Sequence, residues 1–320
     1  ARIAVAFALA IAATPLAAEE PVTVPVYAPA VGTTWTVRVT TEMKTIFDGT
    51  GAVAAETRAD RLELTHRQQA AETAGDLWRE VWTLDVDGAA VRVPPPGEAP
   101  ANPHEAYRRS LAMWGVSTLE IETDATGAPR RLLKADAIRA ALDKTTRALA
   151  GPDAPKPLPI VAAFDARPEM LIDVLLPEIR ALAALQTATP QTVAVGATWT
   201  RDGTDMIGGV TLAKKTVYTV AATDPAARTV TLTWRDTFDP AALARDFAPL
   251  IEQNLKAVEA KSGAPDAARR KALSEIAIDN HGTIVLSLVD GTTRASDFTR
   301  HGRFGDLTTS VVTKVDRRAQ

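Results

Sequence analysis

The side chains that could do chemistry in this chain are few and scattered. Its four histidines, His66, His104, His281 and His301, are far apart. None forms His-Glu-x-x-His or His-x-His, the spacings that put two imidazoles on one metal. Asp85-Val86-Asp87-Gly88 has the look of a calcium-loop fragment, but the later ligands and the closing Glu are missing. A turn is the simpler reading. Glu120 and Glu275 could work as an acid–base pair. Each precedes an Ile on a strand pattern, so its carboxylate is expected to face solvent or an Arg. Trp35 and Trp199 could stack on a ligand. Both lie on alternating strands without an ionisable neighbour in the motif, so they are expected in the core. The sequence has no Gly-x-Ser-x-Gly elbow, no Ser-x-x-Lys and no phosphate-cradling Gly-rich loop. No catalytic, cofactor-binding or metal residue is assigned, and no cofactor is expected.

Composition narrows the classes further. The 320 residues are 46% hydrophobic with a net charge of -3, which gives no dedicated basic surface for nucleic acid. Arg269-Arg270-Lys271 and Arg317-Arg318 read as solvated charges. Cysteine is absent, which removes thiolate metal sites, Cys nucleophiles, disulfides and the lipid-modified Cys of bacterial lipoproteins together. Arg2, the apolar run Ile3 to Ala13, and Leu16-Ala17-Ala18 before Glu19 have the layout of a secretory signal, cleaved near Ala18. The run is too short to span a bilayer. Later apolar stretches are broken by charge or Pro. The expected address is periplasmic or secreted, with no stable transmembrane anchor in the mature chain.

The elements that must position any site are organised by a repeat. Val31-Gly32-Thr33-Thr34-Trp35-Thr36 recurs as Val195-Gly196-Ala197-Thr198-Trp199-Thr200, with five of six positions identical. Glu-Ile-x-x-Asp-x-x-Gly follows each copy, at Glu120 to Gly127 and at Glu275 to Gly282. Two signatures in the same order predict an internal duplication. The expected fold is α+β: two tandem repeats of twisted antiparallel β-sheet with associated helices, in a pseudo-twofold arrangement. The expected divisions are a signal peptide at 1–18, a first β-rich repeat with a C-terminal helix at 19–160, a connecting helical segment at 161–190, and a second β-rich repeat with an inserted helix at 191–320.

Alternation predicts strands from Trp35, across Arg58 to Gln68, and over Leu77 to Val86. Asp87-Gly88 predicts a hairpin returning through Ala89 to Val93. A short helix is expected over His104 to Met113. Asp124 to Gly127 is expected to be a turn between Leu119–Glu122 and Arg130–Leu133, and Ala135 to Ala150 a helix. Pro152, Pro155, Pro157 and Pro159 mark a linker. Arg167 to Gln186 reads as a buried helix kinked or split by Pro177. In the second half, Val210 to Ala221 and Thr229 to Phe238 are expected to pair across Asp224-Pro225. Asp239-Pro240 opens a long helix with an apolar stripe, despite Pro249. Asp279-Asn280-His281-Gly282 is expected to be a hairpin turn, followed by strands over Ile284 to Val289 and near Leu307 to Val315.

Val-x-Val-Gly-x-x-Trp after a Pro-containing approach, Pro190 to Trp199, resembles a pattern in uncharacterised bacterial envelope proteins with duplicated β-rich domains. The resemblance covers roughly Val31 to Ala150 and Val193 to Val315. It implies an envelope domain and supplies no active site. Twisted sheets with helices across one face can enclose an apolar groove, as in periplasmic lipid and lipoprotein carriers by analogy. The expected function is therefore a non-enzymatic periplasmic protein that binds a lipid or other hydrophobic small molecule. Phe247, Leu250, Ile251, Leu255, Leu175 and Ile179 are the candidate groove lining. The alternatives are a structural or interaction module of the envelope, binding a partner protein through a sheet edge or the 94–103 segment, and a hydrolase with a dispersed site.

Overall fold

A computed structural model describes residues 20–47, 56–88, 100–150, 170–176, 178–183, 190–207, 210–263, 267, 270–271, 274–305 and 307–320. The expected signal at 1–18, the strand at 89–93, most of the 94–103 segment and the linker prolines lie outside these residues.

The first half supplies β1 (Val22–Val24), β2 (Thr34–Phe47), β3 (Glu56–Ala74), β4 (Leu77–Thr83), α1 (Pro103–Trp114), β5 (Thr118–Thr123), β6 (Pro129–Leu132) and α2 (Ala135–Ala150). Two short helices follow, α3 (Met170–Leu175) and α4 (Glu178–Ala183), one on each side of position 177. The second half supplies β7 (Gln191–Val193), β8 (Thr198–Ile207), β9 (Val210–Asp224), β10 (Thr229–Phe238), α5 (Pro240–Ser262), β11 (Ile276–Ser287), β12 (Thr293–Phe304) and β13 (Leu307–Ala319). Eleven strands form one antiparallel sheet in the order β6-β5-β4-β3-β2-β13-β12-β11-β10-β9-β8. The fold is thus one large antiparallel sheet with a few helices. The two halves are successive meanders that meet in the middle, where β13 pairs with β2 from Leu307↔Phe47 to Ala319↔Trp35. β1 and β7 pair separately.

The repeated Gly has the same local job in both places. Gly32 and Gly196 take φ of +88° and +83°, where a Cβ is strained. Gly32 donates its N–H to Ala70 O, and Ala70 donates back to Thr33 O. Gly196 donates to Val220 O, and Val220 donates back to Ala197 O. Each copy is a turn that locks the start of one strand onto the end of the next.

Arg317, expected as a solvated charge, is buried with its guanidinium over the Trp35 ring. Three expectations about elements also fail. Asp279 to Gly282 is not a hairpin turn, because β11 runs straight through it. Gly282 is small for another reason. Trp234 on β10 and Phe298 on β12 flank it in register and stack across it, with ring centroids 5.7 Å apart. A Cβ on Gly282 would lie 2.1 Å from Asp297 O and 2.9 Å from Trp234 Nε1. The turn sits instead at Asp290, whose Oδ1 accepts from Thr292 N–H and Oγ1, as Asp124 Oδ1 accepts from Thr126 N–H and Oγ1. Secondly, β4 does not form a hairpin across Asp87-Gly88. Its two edges are taken by β3 and β5. Thirdly, β12 is a full strand where the sequence reading placed none. It carries Arg294, Asp297, Arg300 and Arg303, and this charge hides its periodicity.

One face of the sheet is apolar and covered, the other charged and open. Arg38, Glu42 and Lys44 on β2 and Arg61, Glu63 and Arg67 on β3 are exposed on the outer face. On the inner face of the first half, Trp35, Val37, Val39, Leu64, Trp82, Leu119 and Ile121 form one cluster with Leu171, Ile172, Leu175, Leu176, Ile179 and Leu182 of the α3–α4 region. α3 and α4 therefore plug that half. Fully burying each large aliphatic side chain there contributes about 1.5–3 kcal/mol. Within this core Glu80 accepts from Tyr27 Oη at 2.5 Å, Gln68 Nε2 at 2.7 Å, Trp82 Nε1 at 3.0 Å and Thr123 Oγ1 at 3.3 Å. The inner face of the second half has two apolar clusters. Val24 and Val193 of the β1–β7 ribbon cover Tyr218, Val220, Val230, Leu232, Ile284 and Leu286 at one end. Phe247 of α5 covers Ile207 and Leu212 at the other.

Candidate functional site: a gap between parted strands beneath α5

α5 begins because Asp239 caps it, accepting from Ala241 N–H, and Pro240 fixes the first helical residue. The helix is inserted between β10 and β11, two strands that are neighbours in the sheet. Their ladder runs from Thr229↔Ser287 to Arg235↔His281 and stops there. Both strands continue, β10 to Phe238 and β11 back to Ile276, and each keeps its other partner. The strands thus part where the chain leaves for α5 and returns from it. The main-chain groups facing each other across the gap belong to no ladder.

The gap has a volume of about 520 Å³, within the usual range for small-molecule sites. Its apolar lining is Phe238, Pro240, Leu243, Ala244, Ile276 and Ile278. Arg235, Asp236, Thr237, Ser274 and Asp279 supply the polar part. The apex is a bonded network. Asp236, buried, accepts from Thr216 Oγ1 at 2.6 Å, Lys214 Nζ at 2.8 Å and Asn280 Nδ2 at 3.2 Å. Asn280 Oδ1 accepts from Arg300 Nε at 3.1 Å, and Arg300 reaches Asp205 at 2.6 Å. At the rim, Arg235 Nη2 lies 2.8 Å from Asp279 Oδ1. Lys214, Arg300, Asp236 and Asp205 offset one another here, which is how charge survives on an inner sheet face, while Arg235 and Asp279 pair on the exposed opposite side.

The residues expected to line a groove fall in two places. Phe247 is buried and stacks obliquely on Phe304, centroids 5.4 Å apart. Ile251 packs on the same cluster, which also contains Phe238, Leu243, Ile276 and Ile278 of the gap. Leu255 is half-buried farther along α5. The side chain of Leu250 lies outside the described residues. Leu175 and Ile179 belong to the plugged core of the first half. There a hole of about 10 Å³ lies beside Tyr27, Gln68, Glu80 and Arg317, room for one water at most. The polar apex, above all Asp205, Lys214, Asp236, Asn280 and Arg300, went unrecognised in the sequence. Its members come from five strands and share no spacing.

The chemistry-bearing residues read from the sequence are accounted for by local partners. His66 is fully buried. Its Nδ1 accepts from Asp85 N–H at 3.0 Å, and its Nε2 lies 3.0 Å from Glu178 Oε1, out of line for a straight hydrogen bond. Asp85 closes a turn with Gly88 and meets His104 Nε2 at 3.1 Å. His281 and His301 are neighbours on the outer face. No group of three or more ligating side chains fit for a metal occurs among the described residues. Glu120 pairs with Lys134 and Arg79, and Glu275 with Arg303 at 3.5 Å. The Lys134 bond, then the Arg79 bond and charges, hold the Glu120 carboxyl below its ordinary range. Trp35 is buried under the Arg317 guanidinium, 3.9 Å from the ring centroid, and Trp199 stacks on Tyr218.

No family model matches the chain, and no curated protein matches it. Among solved structures, one described as lipid–protein interactions in lipovitellin is similar over 90% of this chain and 25% of its own, at 8% identity and a TM-score of 0.43. The chain thus spans a quarter of that protein. An outer membrane channel from Pseudomonas putida F1 is similar over 91% of this chain and 97% of its own, at 7% identity and a TM-score of 0.21. Likeness at this level assigns neither a family nor an activity. Among the described residues no helix is long and apolar enough to cross a membrane.

Proposed function

We propose that the protein is a non-enzymatic envelope protein, periplasmic or secreted, that binds a hydrophobic small molecule in the gap beneath α5. The observation that carries this is the gap itself: about 520 Å³ beside a polar apex, lined by Phe238, Leu243, Ile276 and Ile278. The contrast with the first half supports it. There the inserted helix α1 leaves the β4–β5 ladder intact from Trp78↔Thr123 to Thr83↔Thr118, and the ladder is extended by Leu84 N–H to Ser117 O. The same face is filled by the chain's own α3 and α4. We read the two halves as a tandem duplication in which one copy is plugged and the other kept open. The matching Gly32 and Gly196 turns support that reading. Phe247 holds the lid, with Ile251 and Leu255 along its edge. The envelope address rests on the signal-like N-terminus. The charged outer face fits water rather than the apolar belt of a membrane barrel.

The test is a titration of delipidated protein with an environment-sensitive apolar dye. Saturable uptake is expected, and Leu243→Arg, at a half-buried position, should weaken it by about tenfold or more with unchanged thermal unfolding. Absence of saturable uptake by the wild-type protein would overturn the proposal. A second reading, an interaction module, is favoured by one observation: among the described residues β8, ten residues long, has no partner on its outer edge. Recovery of one stoichiometric partner from envelope extract, lost on replacing Thr200 with Pro, would support that reading instead.

A further inference from the structure

We propose that His66 and Glu178 form an acid-sensitive latch that holds the α3–α4 plug on the first half of the sheet. Among the described side chains of the plug, Glu178 is the one that carries a charge, and the rest are Leu or Ile. It points into the core with its side chain 1% exposed. His66 of β3, 0% exposed, receives it with Nε2 3.0 Å from Oε1. An ionisable pair in such a place adds little holding power, since two apolar side chains of similar size usually hold as well or better. What the pair adds is a response to protons.

The geometry fixes how many protons the closed latch can hold. Asp85 N–H donates to His66 Nδ1 at 3.0 Å. A main-chain N–H can only donate, so Nδ1 carries no proton and the ring's own proton is on Nε2, facing Glu178. A second proton on the ring would collide with the Asp85 N–H. The closed latch therefore keeps a neutral imidazole and has the carboxylate alone to accept a further proton. Once open, both groups meet water, where an imidazole and a carboxylate each take up a proton between about pH 7 and pH 4. The open form then holds two added protons and the closed form one at most. Opening takes up protons, so acid favours it. The contact is also easily broken, because Nε2 and Oε1 are at bonding distance but out of line.

The titratable and charged groups around the pair are engaged with other partners. Asp85 turns its carboxylate to His104 Nε2 at 3.1 Å and Arg108 Nε at 3.5 Å. Charging of His104 tightens that contact. Tyr107 of α1 lies against the imidazole and donates to Leu175 O at 3.0 Å. Burial first, then the Glu178 and Asp85 charges, holds its hydroxyl well above the ordinary tyrosine value, so it stays neutral throughout. Glu80 of β4 is held by Tyr27 and Gln68, and Arg317 of β13 stacks on Trp35. Opening of the latch bares Trp35, Trp82, Leu119 and Ile121, which α3 and α4 cover in the closed form. The first half is thus a second apolar face, shut at neutral pH and offered in acid.

Amide exchange of the full-length protein, read by mass spectrometry and corrected for the intrinsic effect of pH, tests the latch. Protection of 170–183 is expected to fall by about tenfold or more from pH 7 to pH 4.5, while β2 and β13 keep theirs. Retained protection of 170–183, or loss at β2 and β13 in step with it, overturns the latch. His66→Gln keeps a side-chain amide to face Glu178 and cannot titrate, so the fall should be abolished. The double replacement His66→Leu with Glu178→Leu removes both ionisable groups and should hold its protection in acid too. An unchanged fall in either variant overturns the assignment to this pair.

Discussion

At the scale of single residues, burial and close approach decide what each side chain can be. Gly282 has no room for a methyl group, since its Cβ would lie 2.1 Å from Asp297 O. Gly282→Ala is expected to destabilise the protein by about 1–3 kcal/mol, measured as a lower urea midpoint with unchanged slope. Glu80 holds four donors in the first core. Burial first, then the nearby Glu80 charge, pushes the Tyr27 hydroxyl well above the ordinary tyrosine value. The linkage sign follows. Below about pH 10 the phenol is neutral in both states and contributes no slope. Above it the unfolded chain ionises while folded Tyr27 keeps its proton, so stability falls as pH rises. Burial of Tyr107 and Tyr218 acts in the same direction. Chemical denaturation at stepped alkaline pH should show this loss, and Tyr27→Phe should show a shallower one. An identical slope in the variant would count against the burial argument.

At the scale of elements, the chain's local signals were informative wherever the cause was local. Asp239-Pro240 started α5 as expected, the Asp124 turn formed, and helices lie on both sides of position 177. Signals failed where the cause was a neighbour in space. Gly282 reads as a turn residue in one dimension, but it is a floor for Trp234 and Phe298. β12 went unread as a strand because Arg300 on its inner face is matched by Asp205 from β8, a residue 95 positions away. The gap was invisible for the same reason: two strands part because a helix has been inserted between them, and no residue type announces that. α5 has two chief supports, its cap and the buried Phe247. Asp239→Ala is expected to remove about 1 kcal/mol and to loosen the lid. Dye affinity should then fall by several-fold, while amide exchange in the first turn of α5 rises. Unchanged exchange there would show that the cap does not hold the lid.

At the scale of the whole molecule, the sheet ties both halves into one body. A duplicated sequence suggested two repeats, and alternation identified most of their strands. Whether they shared a sheet could not be read locally, because it depends on the β13–β2 pairing, whose registered residues are more than 250 positions apart. The halves are also bridged on the inner face. Thr293 Oγ1 of β12 donates to Leu182 O at 2.6 Å, and the segment after β1 brings Tyr27 to Glu80 and Ala28 N–H to Asp290 O. A single cooperative unfolding transition is expected, with tryptophan fluorescence and far-ultraviolet dichroism coincident. Two separated transitions would show that the halves melt independently.

The β13–β2 pairing also sets an order in time. β2 is synthesised long before β13, the strand that completes its pairing. Until β13 is made, β2 has a bare edge along the middle of the future sheet. Closing so distant a contact carries a large loop-entropy cost and slows folding. A chain built this way cannot finish its sheet before β13 has been made. If the chain is threaded through a membrane before it folds, as we propose, that delay keeps it competent for export until β13 arrives.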